Sequence, residues 1–501
     1  MSEGSSYRQI LRSSSIIGGA SVINILVGLL RTKVVAVLLG PAGIGLIGLY
    51  QSLVATASAV SSLGVGTVGT RQIAEAAGRD DAQAVNTARR ALFWGTLGMA
   101  AIGAMVFWLL RHVLAEKILG DPGLDEAVGW LAIGVALTVG SGSQGALLNG
   151  LRRISDIARV SILSALLSTV LGIGALWLWG EKGLIAFILS APLSSFLLGN
   201  WFVSRLPKVS GPPTPLSLLV GQWKTLAKLG AAFMVAGLAV TIGHLAVRTM
   251  VQRELGAEAL GHFQAAWMIS TTYIGFVLQA MGTDYYPRLT AAIHDNAAVN
   301  RMVNEQTEVA LLLGGAVFLA MLGLAPWVIE LLYSSQFEQA VSVLRWQVLG
   351  DILKVASWPL GFIILAAGDG RTFMLAESLA ISVFVGLTWF GLPIFGIEAT
   401  GIAFLGMYSI YLPAVFLLAR RRTGFRYYSR VWKKLAMLLL FAIGVAIMGW
   451  WSEALAATAG LVSSMGFGVY ALCRLVAMSN TDRLSGGILK KINALFGKIG
   501  N

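Results

Sequence analysis

The sequence predicts an all-α integral membrane protein with about 14 transmembrane helices. We expect two six-helix lobes, related by a parallel pseudo-repeat around a central cavity, and two additional C-terminal helices. Three observations predict this fold: the apolar composition, the long apolar runs and a weak internal repeat. Of the 501 residues, 56% are hydrophobic and only 12% are charged, whereas a soluble protein carries about 25% charged residues. With a mean hydropathy of +0.76, the chain is expected to be integral to a membrane.

Fourteen apolar runs are long enough to span a bilayer, because a helix crosses the hydrocarbon core with about 20 mostly apolar residues. The first run is too long for a cleavable signal peptide and contains Arg31 and Lys33. In chain order the predicted spans are 13–38, 42–65, 91–110, 127–148, 160–179, 184–203, 226–251, 259–285, 309–332, 339–367, 373–395, 400–419, 435–451 and 454–472.

The distribution of basic residues predicts the orientation. With the N-terminus inside, most of the 37 Lys and Arg fall in the inside connections, and only Arg111, Lys117, Lys182 and Arg253 fall in outside ones. Positive residues accumulate on the cytoplasmic side of membrane proteins, so both termini are predicted to be cytoplasmic. The same asymmetry accounts for the net charge of +13, and we expect no nucleic-acid partner.

Two segments of the chain resemble each other. LLRTKVVAVLLGPAGIGLIGLYQS (29–52) can be laid over AVRTMVQRELGAEALGHFQAAW (246–267) with small gaps. Six predicted spans lie between them, so the two halves would insert the same way up, as in transporters with a substrate site between parallel repeats. The matched positions are Arg31-Thr32 with Arg248-Thr249, Leu39-Gly40 with Leu255-Gly256, Tyr50-Gln51 with Phe263-Gln264, and Arg71 with Arg288.

The repeat divides the chain into four predicted parts. Residues 1–210 form an N-lobe with helices 1–6, and residues 211–425 form a C-lobe with helices 7–12. Residues 426–480 hold helices 13 and 14. Residues 481–501 space apolar residues helically between lysines, which indicates an interfacial amphipathic tail; a solvated tail is the alternative.

Two charges lie in the middle of an apolar run, in WQVLGDILKVASW (346–358). A charge deep in hydrocarbon costs at least about 2.5–3.5 kcal/mol, so it persists when it is paired or faces water or a ligand. Asp351 and Lys354 are three residues apart and share a helix face. They could form a salt bridge that fixes packing. Alternatively they face a polar cavity, where Lys354 binds an anion and Asp351 exchanges a proton.

Other charged residues extend this candidate site. Substrate-binding candidates besides Lys354 are the four arginines matched in the repeat, together with Lys33, which lies beside Arg31. Arg31 and Lys33 lie in the first span and could instead snorkel to the interface. If the cations face inward, the cavity is positive, which suits an anion, and arginine suits phosphate in particular. The substrate-binding candidates are Arg31, Lys33, Arg71, Arg248 and Arg288, and the coupling candidates beside Asp351 are Glu377 and His244.

Metal and cofactor sites are not expected. Cys473 is the only cysteine, and His112, His244, His262 and His294 show no ligand spacing. His244 precedes Arg248 by one turn and could titrate near neutral pH, or be a packed polar residue.

The segments LGPAGIGLIGLYQSLVATASAVSSLGVGTVG (39–69) and WQVLGDILKVASWPLGFIILAAG (346–368) resemble parts of the bacterial O-antigen and enterobacterial-common-antigen translocases. From about residue 13 to 422, the chain resembles the polysaccharide-unit flippases of the multidrug/oligosaccharidyl-lipid/polysaccharide exporter superfamily. It departs from them by adding helices 13 and 14.

This resemblance implies a function in surface polysaccharide and lipopolysaccharide biosynthesis. It implies transfer of undecaprenyl-diphosphate-linked oligosaccharides across the bacterial inner membrane by alternating access, and it leaves open whether a proton or sodium gradient drives the step. It also suggests a glycan polymerase and chain-length proteins as partners, beside membrane lipid. Side chains available for the glycan are Gln144, Asn149, Gln264, Trp267 and Tyr273.

Two alternatives belong to other functional classes. One is an ion-coupled drug or cation antiporter of the same superfamily, which would depend on acidic residues such as Asp351 and Glu377. The other is a membrane enzyme such as a glycan polymerase or ligase. Such enzymes carry catalytic residues in a long outer loop, and all outside loops predicted here are short. We therefore expect a transporter and not an enzyme.

Overall fold

A computed structural model describes residues 3–79, 82–207 and 216–479. Every regular element in these residues is helical, which confirms the predicted all-α class. Short 3-10 or π-helical turns occur at Ala115–Leu119, Pro122–Leu124, Gly180–Gly183 and Ser335–Phe337. The α-helices are α1 (Glu3–Ser62), α2 (Val65–Gly78), α3 (Ala82–Leu109), α4 (Arg111–Leu114), α5 (Asp125–Gly150), α6 (Ile154–Trp179), α7 (Leu184–Ser204), α8 (Leu216–Ala291), α9 (Asn296–Leu332), α10 (Ala340–Ala366), α11 (Gly370–Phe395), α12 (Glu398–Thr423), α13 (Ser429–Trp451) and α14 (Glu453–Ser479).

Ten segments within the described residues are long and apolar enough to cross a membrane. Two of them, Ile16–Ser62 with 47 residues and Ile154–Ser204 with 51, each have the length of two crossings. A multi-pass membrane fold is therefore confirmed, while the count of fourteen spans stays a prediction. The amphipathic tail predicted at 481–501 lies outside the described residues.

The two longest helices bend at glycines. Gly40 in α1 has φ 62° and ψ −167°, and Gly256 in α8 has φ 86° and ψ 177°. Side chains other than glycine's clash in this region of backbone space, so the glycines allow both bends. The two glycines are matched positions of the proposed sequence repeat. They share a conformation, and the repeat itself stays a prediction.

The segments that follow these bends cross at small residues. A Cβ on Gly45 would lie 2.4 Å from the Ala257 carbonyl oxygen, and a Cβ on Gly261 would lie 1.9 Å from the Pro41 carbonyl oxygen. The offset in sequence between Gly45 and Gly261 equals that between the two bends. The crossing is thus reciprocal, with equivalent positions on both sides, like the contact between two identical subunits.

The chain forms two compact units, and their division falls inside α8. The lobe boundaries predicted near residues 210 and 425 stay a prediction. The first unit comprises Met1–Ala265, Glu330–Glu338 and Leu392–Ile397, and the second comprises Ala266–Ile329, Gln339–Gly391 and Glu398–Asn501.

Within the second unit, α14 packs closely on α9. A Cβ on Gly460 would lie 2.6 Å from the Gly323 Cα, so neither helix could carry a larger side chain there. Ser464 Oγ also donates a hydrogen bond of 2.8 Å to the Ala316 carbonyl oxygen. Small residues of this kind let helices approach in the absence of a strong hydrophobic drive.

A buried carboxylate joins α9 to α13 and α14. Glu308 is 1% exposed, and its Oε1 lies 2.8 Å from Lys434 Nζ and 3.7 Å from Arg474 Nη2. Its Oε2 lies 3.0 Å from Arg430 Nε. Three cations on the two C-terminal helices thus surround one anion on α9.

A second ion pair secures the opposite end of the same helices. Arg345 on α10 is buried, and its Nη2 lies 2.5 Å from Glu453 Oε2 at the start of α14. Its other nitrogens donate to the carbonyl oxygens of Leu322 and Gly449. The turn between α13 and α14 is thereby held to α10.

Candidate functional site

The carboxylate of Asp351 on α10 is held by hydroxyl groups from α8. Asp351 is fully buried, and its Oδ2 accepts hydrogen bonds from Ser270 Oγ at 2.7 Å and Tyr273 OH at 2.5 Å. Its Oδ1 is also buried and has no hydrogen-bond partner among the described residues. A buried acceptor without a donor is costly, so Oδ1 is a position where a proton would be stabilising.

Lys354 does not neutralise this carboxylate directly. Among the described side chains, no ion pair joins Lys354 to Asp351, so the salt bridge considered from their spacing is not formed. The Lys354 ammonium instead lies 5.8 Å from the ring centroids of both Phe404 and Tyr408 on α12. Aromatic faces attract a cation without cancelling its charge, so the Lys354 ammonium keeps its positive charge at this position.

Glu377 lies on α11 in the same unit. Its Oε1 accepts a hydrogen bond from the Tyr411 hydroxyl. The Tyr411 ring lies 6.0 Å from that of Tyr408, beside Lys354. The second unit thus brings together Asp351, Lys354 and Glu377 through the tyrosines of α8 and α12.

In the first unit, Arg248 is buried beside the bend of α8. It is 6% exposed, its Nε donates to Gln264 Oε1 at 3.1 Å, and its Nη1 donates to the His244 carbonyl oxygen at 3.2 Å. Gln264 packs on Gly48 of α1, where a Cβ would lie 2.5 Å from the amide carbon. The backbone of His244 therefore contacts Arg248, one of the candidate substrate-binding cations.

The two cations of the first span have different partners. Arg31 donates to Ser168 Oγ at 3.4 Å and to the Phe187 carbonyl oxygen at 3.3 Å, and its guanidinium lies 4.1 Å from the Phe187 ring centroid. Lys33 Nζ donates to the Glu330 carbonyl oxygen at 2.8 Å. Arg31 is therefore held inside the first unit by α6 and α7.

The remaining predicted cations lie on the surface. The Arg71 side chain is 71% exposed and pairs with Glu75 one turn further along α2, with Nε 2.7 Å from Oε1. Arg288, near the end of α8, is also exposed. Both side chains are therefore accessible at the surface, unlike Arg248, which is buried.

Sequence reasoning missed most of the hydroxyl groups that hold the acids. Ser270 and Tyr411 come from helices distant in sequence, and no local spacing connects them to Asp351 or Glu377. The sequence suggests Tyr273 only as a side chain for the glycan, whereas its hydroxyl donates to Asp351. Among the described residues, no group of His, Cys, Asp or Glu side chains could hold a metal ion.

Residues 34–342, more than half of the chain, match the family described as "Polysaccharide biosynthesis protein". The "Lipid III flippase" of Escherichia coli (strain K12) is 23% identical over 434 residues, which cover 82% of this chain and 99% of that protein.

Two solved structures share the fold. "Lipid II flippase MurJ, inward closed conformation" aligns with a TM-score of 0.67 and 12% identity, over 93% of this chain and 100% of that chain. An inward-facing multidrug resistance MATE family transporter of the MOP superfamily aligns with a TM-score of 0.64 and 17% identity, over 80% of this chain and 94% of that chain. At such identities the likeness to the solved structures shows the fold alone. The family match over more than half of the chain shows that the chain belongs to the polysaccharide biosynthesis protein family.

Proposed function

We propose that this protein is a flippase that moves undecaprenyl-diphosphate-linked oligosaccharide units from the cytoplasmic to the periplasmic leaflet. The product would serve O-antigen-like surface polysaccharide biosynthesis, and the mechanism would be alternating access. The observation that carries the proposal is a set of cations held inside a fold shared with a lipid II flippase: Arg31, Arg248 and Lys354. Likeness to a lipid III flippase over nearly its whole length supports it.

The chemistry of the cations suits a diphosphate. Guanidinium groups present forked donors that match phosphate oxygens, and Lys354 adds a point charge that no described carboxylate neutralises directly. Amides and aromatic rings of the same helices, such as Gln264 and Trp267, suit sugars. The polyprenyl tail would stay in lipid, so no cavity in the protein needs to enclose it.

We assign coupling to the acidic residues. Asp351 Oδ1 is the buried acceptor without a described partner, and protonation would remove the cost of a buried negative charge. Glu377 and His244 are the further coupling candidates. The dependence of lipid transfer on a proton gradient or a sodium gradient identifies the ion that drives the cycle.

The proposed setting is the bacterial inner membrane with both termini in the cytoplasm. The proposed arrangement is two six-helix lobes plus α13 and α14. Proposed partners are membrane lipid, a glycan polymerase and chain-length proteins, as well as the lipid-linked substrate. The relatives are named as flippases and transporters, so we propose no catalytic role.

A drug or cation antiporter is the second candidate function. The fold likeness to a multidrug transporter and the acids Asp351 and Glu377 favour it. It predicts that binding of a lipophilic cation is lost when these acids are neutralised and is unchanged when Arg31 or Arg248 is removed. The flippase proposal predicts that binding of a diphosphate lipid is lost when Arg31 or Arg248 is removed and is unchanged when the acids are neutralised.

The test is leaflet transfer of a labelled undecaprenyl-diphosphate oligosaccharide in proteoliposomes, with and without proton and sodium gradients. Wild type is compared with Lys354→Ala and Asp351→Asn. Lys182→Ala, which changes an exposed lysine, is the matched control for the loss of one positive charge.

We expect wild type and Lys182→Ala to transfer the lipid and both site variants to fail while remaining folded. Equal transfer by all four proteins would remove Asp351 and Lys354 from the site and direct the search to Arg31 and Arg248. No transfer by wild type under any gradient would contradict the flippase proposal.

A further inference from the structure

A cavity of about 580 Å³ is lined by none of the acids and cations described above. It is formed within the first unit, where the start of α3 meets the ends of α5 and α7. Among the residues that the structure describes, its lining contains two arginines, Arg89 and Arg90, and five uncharged polar side chains, among them Gln144 and Asn200, and no acidic residue. Its size is in the range of small-molecule sites, and its charge is positive.

One lining group needs a hydrogen-bond donor. Gln144 Oε1 is buried and has no partner among the described residues. The amide packs against Gly199, where a Cβ would lie 2.2 Å from Oε1, so the glycine makes room for it. A buried acceptor of this kind is expected to be satisfied in the intact system, and a small rotation of the amide toward the cavity would let a ligand hydroxyl donate to it.

The arginines offer the complementary chemistry for an anion. Arg89 Nη2 donates to the Val203 carbonyl oxygen at 3.4 Å, a contact that orients the side chain at the cavity wall. A guanidinium carries five N–H donors, so one carbonyl does not exhaust it. Arg90, at the next position of α3, adds a second positive charge to the lining.

The surroundings place the cavity at the height of lipid headgroups. Phe93 in the lining and its neighbour Trp94 are both exposed. On α7, Trp201 is also exposed and carries the Arg205 guanidinium 3.6 Å from its ring centroid. Exposed tryptophans and arginines are typical of the membrane–water interface. In the proposed orientation this is the cytoplasmic interface.

We propose that this cavity is a docking site for the phosphate-bearing, sugar-bearing headgroup of a lipid in the cytoplasmic leaflet, occupied before the lipid is transferred. Arg89 and Arg90 bind the phosphate oxygens, and Gln144 and Asn200 bind hydroxyls of the first sugars. The proposal rests on the flippase function and its orientation. A phospholipid headgroup shares the phosphate but not the sugar hydroxyls, for which the five uncharged polar groups are suited.

The test is equilibrium binding to the full-length protein in phosphatidylcholine nanodiscs. The probes are a radiolabelled short-chain prenyl diphosphate carrying a disaccharide and the same prenyl diphosphate without sugar. The variants are Arg89→Gln combined with Arg90→Gln, and Gln144→Met, which keeps the side-chain volume. Arg153→Gln is the control, because Arg153 is exposed at the same end of the unit and outside the lining.

The expected results separate the two halves of the headgroup. Losing a charge-assisted hydrogen bond costs about tenfold in affinity, so the double arginine variant should bind both probes at least about tenfold more weakly. Gln144→Met should weaken only the probe with sugar, and Arg153→Gln should bind like wild type. Binding by the two lining variants equal to wild type, or equal competition by phosphatidylglycerol, would overturn the docking site.

Transfer assays distinguish this outcome from failure of the proposed function. If wild type transfers the lipid and the lining variants bind and transfer equally well, the docking site is wrong and the flippase stands. If the lining variants lose binding while wild type transfers nothing, the headgroup site stands and the flippase proposal fails.

Discussion

Replacing Glu308 by glutamine should destabilise the packing of α13 and α14 on the rest of the second unit. The carboxylate is 1% exposed and Lys434 beside it is 4% exposed, so the substitution leaves a buried ammonium without its counter-charge. Removing one partner of a buried ion pair costs about 3–5 kcal/mol.

The lower end of that range applies here. The amide oxygen of the substituted side chain could still accept a hydrogen bond from Lys434. Arg430 and Arg474 are both exposed, so solvent screens the loss of their counter-charge. About 3 kcal/mol, at about 2 °C per kcal/mol for a large domain, corresponds to a fall of about 6 °C in melting temperature.

The assay is thermal unfolding of the purified protein in detergent, followed by tryptophan fluorescence. Glu75→Gln is the control, because Glu75 lies in an exposed pair with Arg71, and it should melt with wild type. Combining Glu308→Gln with Lys434→Met removes both buried charges and should recover much of the loss, since an apolar replacement of a buried pair is often neutral.

The reasoning would be refuted by either of two results. Glu308→Gln could melt within about 1 °C of wild type, which would mean that the buried ammonium needs no counter-charge. Alternatively, the double variant could melt below the single one, which would mean that Lys434 stabilises the fold independently of Glu308.

Three further predictions concern single contacts. Tyr273→Phe removes one of two donors to Asp351 Oδ2 and should slow lipid transfer about tenfold in proteoliposomes; an unchanged rate would show that the hydroxyl is dispensable. Gly256→Ala forces a side chain into a φ of 86° and should lower the melting temperature, whereas the same change at an ordinary helical glycine, Gly237, should not. Asp369 caps α11: its carboxylate accepts hydrogen bonds from the backbone N–H and the hydroxyl of Thr372, and these bonds hold the pKa of that carboxyl below its ordinary 3.8. Asp369→Ala should therefore lower the melting temperature at neutral pH. The difference in melting temperature from wild type should fade as the pH falls below 3.8, because the wild-type carboxyl is then protonated.

The sequence was sufficient for the fold class because composition and long apolar runs depend only on local residues. The sequence matched Gly40 with Gly256, but it did not predict the bend that the structure shows at each of them. It was not sufficient for the partner of Asp351. A spacing of three places Lys354 on the same helix face, but hydroxyls 81 and 78 residues away reach the carboxylate instead.

The roles of Arg345 and Glu308 illustrate the same difficulty. Arg345 lies near the end of a predicted span, and its partner Glu453 is 108 residues further along the chain. Glu308 meets its three cations only because α13 and α14 fold back onto α9. Which charges become paired is decided by tertiary packing, and a single sequence carries no local signal for it.

The crossing at Gly45 and Gly261 has a consequence for the speed of motion. Interlocked side chains must change rotamer before two helices can part, and each such step adds a barrier. At Gly45 and Gly261 the nearest atoms across the crossing are backbone atoms, so at these two positions the helices can slide or separate without a change of side-chain rotamer. Side-chain rearrangement on parting the two segments would then be concentrated at Gln264, which packs on Gly48, and the remaining movement would fall on the backbone bends at Gly40 and Gly256.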